Sequence, residues 1–343
     1  MKTTSDKTPA KVHQRRSSPA ALKLRRILVP LDFSDSSKQA LACAVPLARS
    51  YGAKISLVHV VLPLELIAPI PGGGPYSGSY LPLGFDIKQA EMNAAQQAQK
   101  HLDRLAAELV PTELTDKKMV RIGNAAHEVV LAANALKADI IVLSTQGHSR
   151  LKSLLMGSTA ERIVRHANCP VLTVPCQPGT PPVPFPSRKK TVYPSRLPWK
   201  KILVPLDFSP TSLRALKTAV PLARKSGAKL LLLNVVVPNP VASGMEGSVL
   251  VMPDSELIRE AEHVLPQIAS HYVPRPVRAD TLIRHGRATD MILDAAEMEE
   301  VDLIVLTTHG RTGVDRLLLG STAEQVVRHA RCPVYVARKP RAG

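Results

Sequence analysis

The feature that most constrains this chain is that it is written twice. "RILVPLDFS" at 26–34 recurs as "KILVPLDFS" at 201–209, an offset of 175, and "ALACAVPLARSYGAK" recurs as "ALKTAVPLARKSGAK" at the same offset. Further on the offset becomes 163, where "ADIIVLSTQG" matches "VDLIVLTTHG" and "RHANCPV" matches "RHARCPV". Each copy is long enough to bury its own core, so the repeat describes two domains and not a solenoid. The second copy has lost twelve residues, opposite the Gly/Pro-rich stretch 63–85 of the first, which reads as either a lid or a disordered insertion. The expected organisation is a basic disordered tail at 1–24, a domain at 25–176, a Pro-rich linker at 177–198 and a second domain at 199–339.

Within each copy, strands and helices alternate. The apolar run 27–31 reads as a buried strand. The segment after it begins with cap-type residues and ends at Gly52, which predicts a helix and its stop. "AKISLVHVV" is the next strand, and 86–109 shows helical spacing through Ile87, Ala94, Ala98, Leu102, Leu105 and Leu109. "KKMVRIG", a helix after Asn124, "ADIIVLS", a helix from Ser158 and "PVLTVP" complete five strands and four helices. Near-continuous β-branched runs alternating with helices predict a parallel sheet covered on both faces, an α/β doubly wound fold. In such a sheet, ligands bind beyond the carboxyl ends of the strands where the strand order reverses. That directs attention to Asp32 and Asp207, which end the first strands, and to the segments that follow the fourth.

Those later segments are "TQGHSRLKSLLMGST" at 145–159 and "THGRTGVDRLLLGST" at 308–322. Both keep a glycine (Gly147, Gly310), nine residues, then Gly157-Ser158-Thr159 or Gly320-Ser321-Thr322. Free amides, hydroxyls and a helix dipole at such a start favour phosphate. The competing reading is purely structural: "STAE" is a capping box, pairing Ser158 with Glu161 and Ser321 with Glu324. Arg311, a natural phosphate partner, is His148 in the first copy, so the halves are unequal, and His309 is Gln146, so it is not a shared catalytic base. His59, whose counterpart is Asn234, reads as core or pocket lining.

Charge excludes some functions. The net charge is +17, but residues 1–26 carry +7 and residues 176–201 carry +6, so the tail and linker hold 13 of the 17 charges. Only 3% of residues are aromatic, which leaves no stacking platform for single strands. Specific nucleic-acid binding is not expected. No apolar run reaches the roughly eighteen residues of a membrane span, and the basic N-terminus lacks the apolar core of a secretion signal, so the cytoplasm is the expected location. The four cysteines form no CxxC pair. The His-x-x-Cys pairs His166/Cys169 and His329/Cys332 suit a helix end followed by a buried strand better than a zinc site.

Across both copies the sequence resembles the universal stress proteins in a tandem form, on "ILVPLDFS" twice, "GHSRLKSLLMGSTAERIVRHANCPV" and "GRTGVDRLLLGSTAEQVVRHARCPV". The resemblance implies a five-stranded parallel sheet per domain in the order 3-2-1-4-5. Its ATP-binding branch carries Gly-x2-Gly-x9-Gly-Ser/Thr, and the first of those glycines is here Ser144 and Thr307. ATP, accompanied by Mg²⁺, is thus the implied ligand. Its phosphates would lie on Gly310, Arg311, Gly320, Ser321 and Thr322, and on Gly147, Gly157, Ser158 and Thr159. Its ribose would meet Asp207 or Asp32, residues that could equally cap the helix after them. Its adenine would contact the backbone at Val235 or Val60. Gly286 and Gly123 either leave room for it or are turn glycines. The resemblance also implies that the last strands join the two domains as an internal pseudo-dimer; further homo-oligomers and a regulated protein are the other partners to expect.

The function expected is an ATP-binding regulatory protein of stress physiology. Two alternatives stand beside it: an interaction module with empty sites on the same fold, or a slow ATPase or self-phosphorylating protein. No P-loop and no repeated carboxylate pair lies near the loops, so dedicated catalysis is not expected.

Overall fold

The computed structural model describes residues 22–63, 86–147, 156–175, 197–238, 254–307 and 320–338. In the first half the strands are β1 (Arg26–Pro30), β2 (Lys54–Val61), β3 (Thr115–Ile122), β4 (Ile140–Ser144) and β5 (Val171–Val174). The helices between them are α1 (Asp35–Tyr51), α2 (Ile87–Leu109), α3 (Ala125–Leu136) and α4 (Ser158–His166). The second half repeats this as β6 (Lys201–Pro205), β7 (Lys229–Val236), β8 (Ala279–His285), β9 (Leu303–Thr307) and β10 (Val334–Ala337), with α5 (Pro210–Ser226), α6 (Asp254–Tyr272), α7 (Ala288–Met298) and α8 (Ser321–His329).

All of these strands lie in one ten-stranded sheet, ordered β3-β2-β1-β4-β5-β10-β9-β6-β7-β8. Each half is a parallel 3-2-1-4-5 sheet, and the halves meet at an antiparallel seam where Leu172 stands opposite Tyr335. Strand alternation sends successive residues to opposite faces. Ile27, Val29, Ile140 and Val142 face a core built with α1, α2, α5 and α6. Leu28, Ile141 and Leu143 face the other, built with α3, α4, α7 and α8. Each core draws on both halves, so the apolar interior is continuous across the seam.

Local signals set most boundaries. Ser34 caps α1 by accepting from Ser37 N–H. Gly52 ends the helix at a φ of 65 degrees, in the left-handed region, with its own N–H returned to Ala48 and Arg49, as helix-stopping glycines do. The apolar spacing of α2 overstates its burial: only Leu102, Leu105, Ala106 and Leu109 are buried, because the N-terminal turns of this 23-residue helix run past the core. The edge strand β3 carries exposed Lys117 and Lys118, which discourage edge-to-edge pairing.

Two side-chain clusters tie the halves together. Arg165 and Arg328 each reach both Glu161 and Glu324, at 3.1 to 3.4 Å, forming a closed ring of two cations and two anions between α4 and α8. Arg338, just past β10, donates through Nη2 to the carbonyls of Val164 and Arg165. Those are last-turn carbonyls of α4 that have no partner within the helix. Its counterpart in the first half is Pro175, so the cap runs one way only. The ring side chains are 21% to 31% exposed, too sheltered for full screening by salt. Replacing Arg328 with methionine leaves two carboxylates sharing Arg165, and is expected to lower stability by roughly 1–2 kcal/mol. Urea unfolding of the variant beside the wild type measures this; superimposable curves would make the ring a spectator.

Candidate functional site

The site is built where β1 and β6 turn into α1 and α5. Asp32 accepts from Ser34 N–H at 3.0 Å and from Ser34 Oγ at 2.5 Å, both at Oδ1. Asp207 repeats this with Ser209, at 3.0 and 2.6 Å. The intervening residues, Phe33 and Phe208, have positive φ of 67 and 65 degrees, a left-handed conformation that bulky side chains rarely adopt. Such strain persists where the surroundings over-determine it. Phe33 is stacked between His59 and His101, each with its centroid 4.2 Å away. Each Asp therefore commits one oxygen to the loop amide of its own turn, while the helix cap itself is Ser34 or Ser209.

His59 and Asn234, which share no chemistry class, perform one task. His59 Nδ1 donates to Leu31 O and Asn234 Nδ2 donates to Leu206 O, both at 2.7 Å. Each thus braces the carbonyl just before the Asp. A carbonyl only accepts, so the proton of His59 is on Nδ1 in this arrangement. The equivalence in sequence position was readable; the shared bond was not.

The helix starts differ from the capping-box expectation. Gly157 and Gly320, not Ser158 and Ser321, occupy the N-cap positions, and neither cap has a side-chain hydrogen bond. The backbone decides it: Gly157 O accepts from Glu161 N–H and Gly320 O from Glu324 N–H, so the serines are already inside the helix. Glu161 and Glu324 are drawn away into the interdomain ring. The φ values of the two glycines are negative and open to any residue. A Cβ on Gly157 would find its nearest neighbour, Thr145 O, at an ordinary 3.5 Å. Backbone strain accounts for neither glycine, and among the described residues nothing crowds a side chain at Gly157.

In the second half these pieces line one cavity of about 610 Å³, within the usual range for small-molecule sites. Asp207 and Phe208 stand on one side, Val235 at the end of β7, and Gly320, Ser321 and Thr322 opposite. A depression of about 640 Å³ between α6 and β8 is open and apart from these groups. Asp280, its charged lining residue, is paired with Lys229, so we place the site at the strand ends.

The remaining sequence-derived residues fall as follows. Val60, Asp32, Gly147, Gly157, Ser158 and Thr159 stand at the corresponding strand ends and helix start of the first half. Gly147 lies against Asp32: a Cβ on it would be 2.7 Å from Oδ2. Gly123 and Gly286 have positive φ of 151 and 143 degrees, which is reason enough for glycine. Ala288, two residues after Gly286, is the one that reaches the cavity wall. Gly310, Arg311 and His148 lie outside the described residues. Among the described residues no group of three or more His, Cys, Asp or Glu gathers to hold a metal. Burial raises the Cys169 thiol to about 11 and that of Cys332 to about 12, which opposes the thiolate form a zinc site needs. No described helix is long and apolar enough to cross a membrane.

A doubly wound parallel sheet, with a carboxylate and a helix start converging beyond its switch point, defines a tandem α/β fold of the kind that binds ligands at this place. The sequence profile of the Universal stress protein family matches residues 23–175 and 198–338. The chain belongs to that family. A universal stress protein of Mycolicibacterium smegmatis is 27% identical over 321 residues, spanning 91% of this chain and 96% of its own. One of Methanocaldococcus jannaschii is 37% identical over 145 residues, 42% of this chain and 84% of its own. Among solved structures, a universal stress protein of Archaeoglobus fulgidus superposes with a TM-score of 0.61 at 20% identity, covering 94% of this chain and 99% of that one. Such identity speaks for the shared fold.

Proposed function

We propose that the chain is an ATP-binding regulatory protein of the stress response, acting by its bound state and not by turnover. The observation that supports this most directly is the pair of glycine N-caps. Neither backbone requires glycine, Gly157 has room for a side chain among the described residues, and Gly320 opens onto the cavity that holds Asp207. Such a start offers amides and hydroxyls to phosphate. The carboxylate of Asp207 supplies an acceptor for ribose hydroxyls, and the apolar wall at Val235 suits a base. Magnesium would arrive with the triphosphate. Asp207 and the hydroxyls of Ser321 and Thr322 are oxygen donors of the kind it accepts.

Small molecules released by denaturing freshly purified protein, identified by mass spectrometry and followed by ATP titration, test this reading. Nucleotide carried through purification, or saturable ATP binding, is the expected result. Absence of both at millimolar ATP would make the chain an interaction module on the same fold. Recovery of ADP alone would favour slow hydrolysis.

A further inference from the structure

We propose that the nucleotide site of the first half is held shut by a serine latch. This rests on the nucleotide reading above and adds its regulation. Ser144 ends β4, and its Oγ donates to the carbonyl of Gln146 at 2.5 Å. Ser36, in the first turn of α1, donates to the same oxygen at 2.9 Å. That carbonyl has two lone pairs and both are engaged. The next residue, Gly147, is thereby brought against Asp32, close enough that a Cβ would stand 2.7 Å from Oδ2. The other carboxylate oxygen, Oδ1, is committed to Ser34. A ribose approaching Asp32 meets the backbone of Gly147 first, and this backbone must withdraw before the carboxylate accepts a ligand hydroxyl.

The latch is also built to open. Ser36 has one hydroxyl proton and two acceptors within reach, Gln146 O at 2.9 Å and Ser34 Oγ at 2.8 Å. The proton of Ser34 is already directed at Asp32 Oδ1. Three oxygen contacts therefore share two protons. When Gln146 moves away, the proton of Ser36 turns to Ser34 Oγ, so of the two bonds to the Gln146 carbonyl only that of Ser144 is lost outright. The latched and open arrangements thus differ by about one hydrogen bond at this carbonyl, and a ligand with an affinity difference between them shifts the balance.

The test uses the full chain with the second site disabled by Gly320→Val, so that ATP titration reads the first half. Ser144→Ala deletes the bond that opening loses without touching the Asp32–Ser34 turn, whereas Ser36→Ala also removes the contact to Ser34 Oγ and serves as the control. Ser144→Ala is expected to tighten ATP binding by roughly two- to tenfold, the range a single neutral hydrogen bond carries, and Ser36→Ala to change it less. Hydrogen exchange of the peptide covering residues 145–147, without nucleotide, is expected to quicken in Ser144→Ala. Unchanged exchange together with unchanged or weaker ATP binding in Ser144→Ala would overturn the latch. Faster exchange with no ATP binding by any variant would keep the latch and overturn the nucleotide reading instead.

Discussion

Replacing Gly320 with valine is expected to weaken ATP binding in the second half at least about 100-fold, a loss of roughly 2.7 kcal/mol, while the chain stays folded. The two effects separate because the backbone at this N-cap does not require glycine. Its backbone is extended, with negative φ and a ψ of 143 degrees, a conformation that valine adopts readily. The twin position, Gly157, has room for a side chain. Losing glycine's modest N-cap preference costs no more than about 1 kcal/mol, which a thermal melt will register as a small shift. A phosphate seated on the first-turn amides, by contrast, would meet the two valine methyls. Calorimetric titration of the variant decides the matter. Unchanged affinity with an intact fold would remove phosphate from this helix start and leave the cavity in need of another ligand.

The second large effect concerns the seam. Tyr335 is 1% exposed and stands opposite Leu172 where the two half-sheets join. Truncation to alanine removes an aromatic ring from the continuous core at the place where neither half can relax independently. A loss of about 3–5 kcal/mol is expected, as for other buried aromatic truncations. Phenylalanine should behave in the opposite sense. The Tyr335 hydroxyl is buried without a hydrogen-bond partner among the described residues, as is that of Tyr51. Burial pushes the Tyr335 phenol far above its ordinary value. Deleting an unsatisfied buried hydroxyl removes a desolvation cost of about 1–3 kcal/mol, so Tyr335→Phe should be neutral or more stable than the wild type. Urea denaturation of the two variants measures both. A destabilised phenylalanine variant would mean the hydroxyl has a partner, such as an ordered water bridging to Tyr51.

This asymmetry between what a ring contributes and what its hydroxyl costs bears on how the tandem chain holds together. Arg338 and the Arg165–Glu324–Arg328–Glu161 ring act on α4 and α8, the helices whose starts we propose hold phosphate. The two proposed sites thus share a support, built from residues more than 150 positions apart in the chain.

Much of this was legible in the residues themselves. The repeat set the number of domains, the β-branched runs set the parallel sheet, and Gly52 stopped α1 as a glycine in the left-handed region does. Asp32 and Asp207 were found at the ends of their strands because apolar periodicity breaks there. These are short-range matters: a strand, a cap or a turn is decided by residues within a few positions of one another, so its signal is local. The capping box failed for a tertiary reason. Glu161 and Glu324 match the motif, yet each finds arginine partners across the seam, and the backbone moves the cap to glycine. That His59 and Asn234 do the same work, that Gly147 presses on Asp32, and that Gly123 and Gly286 take positive φ were decided only by the folded chain. Each depends on where a distant carbonyl, carboxylate or helix comes to rest, and nothing adjacent in sequence records that position.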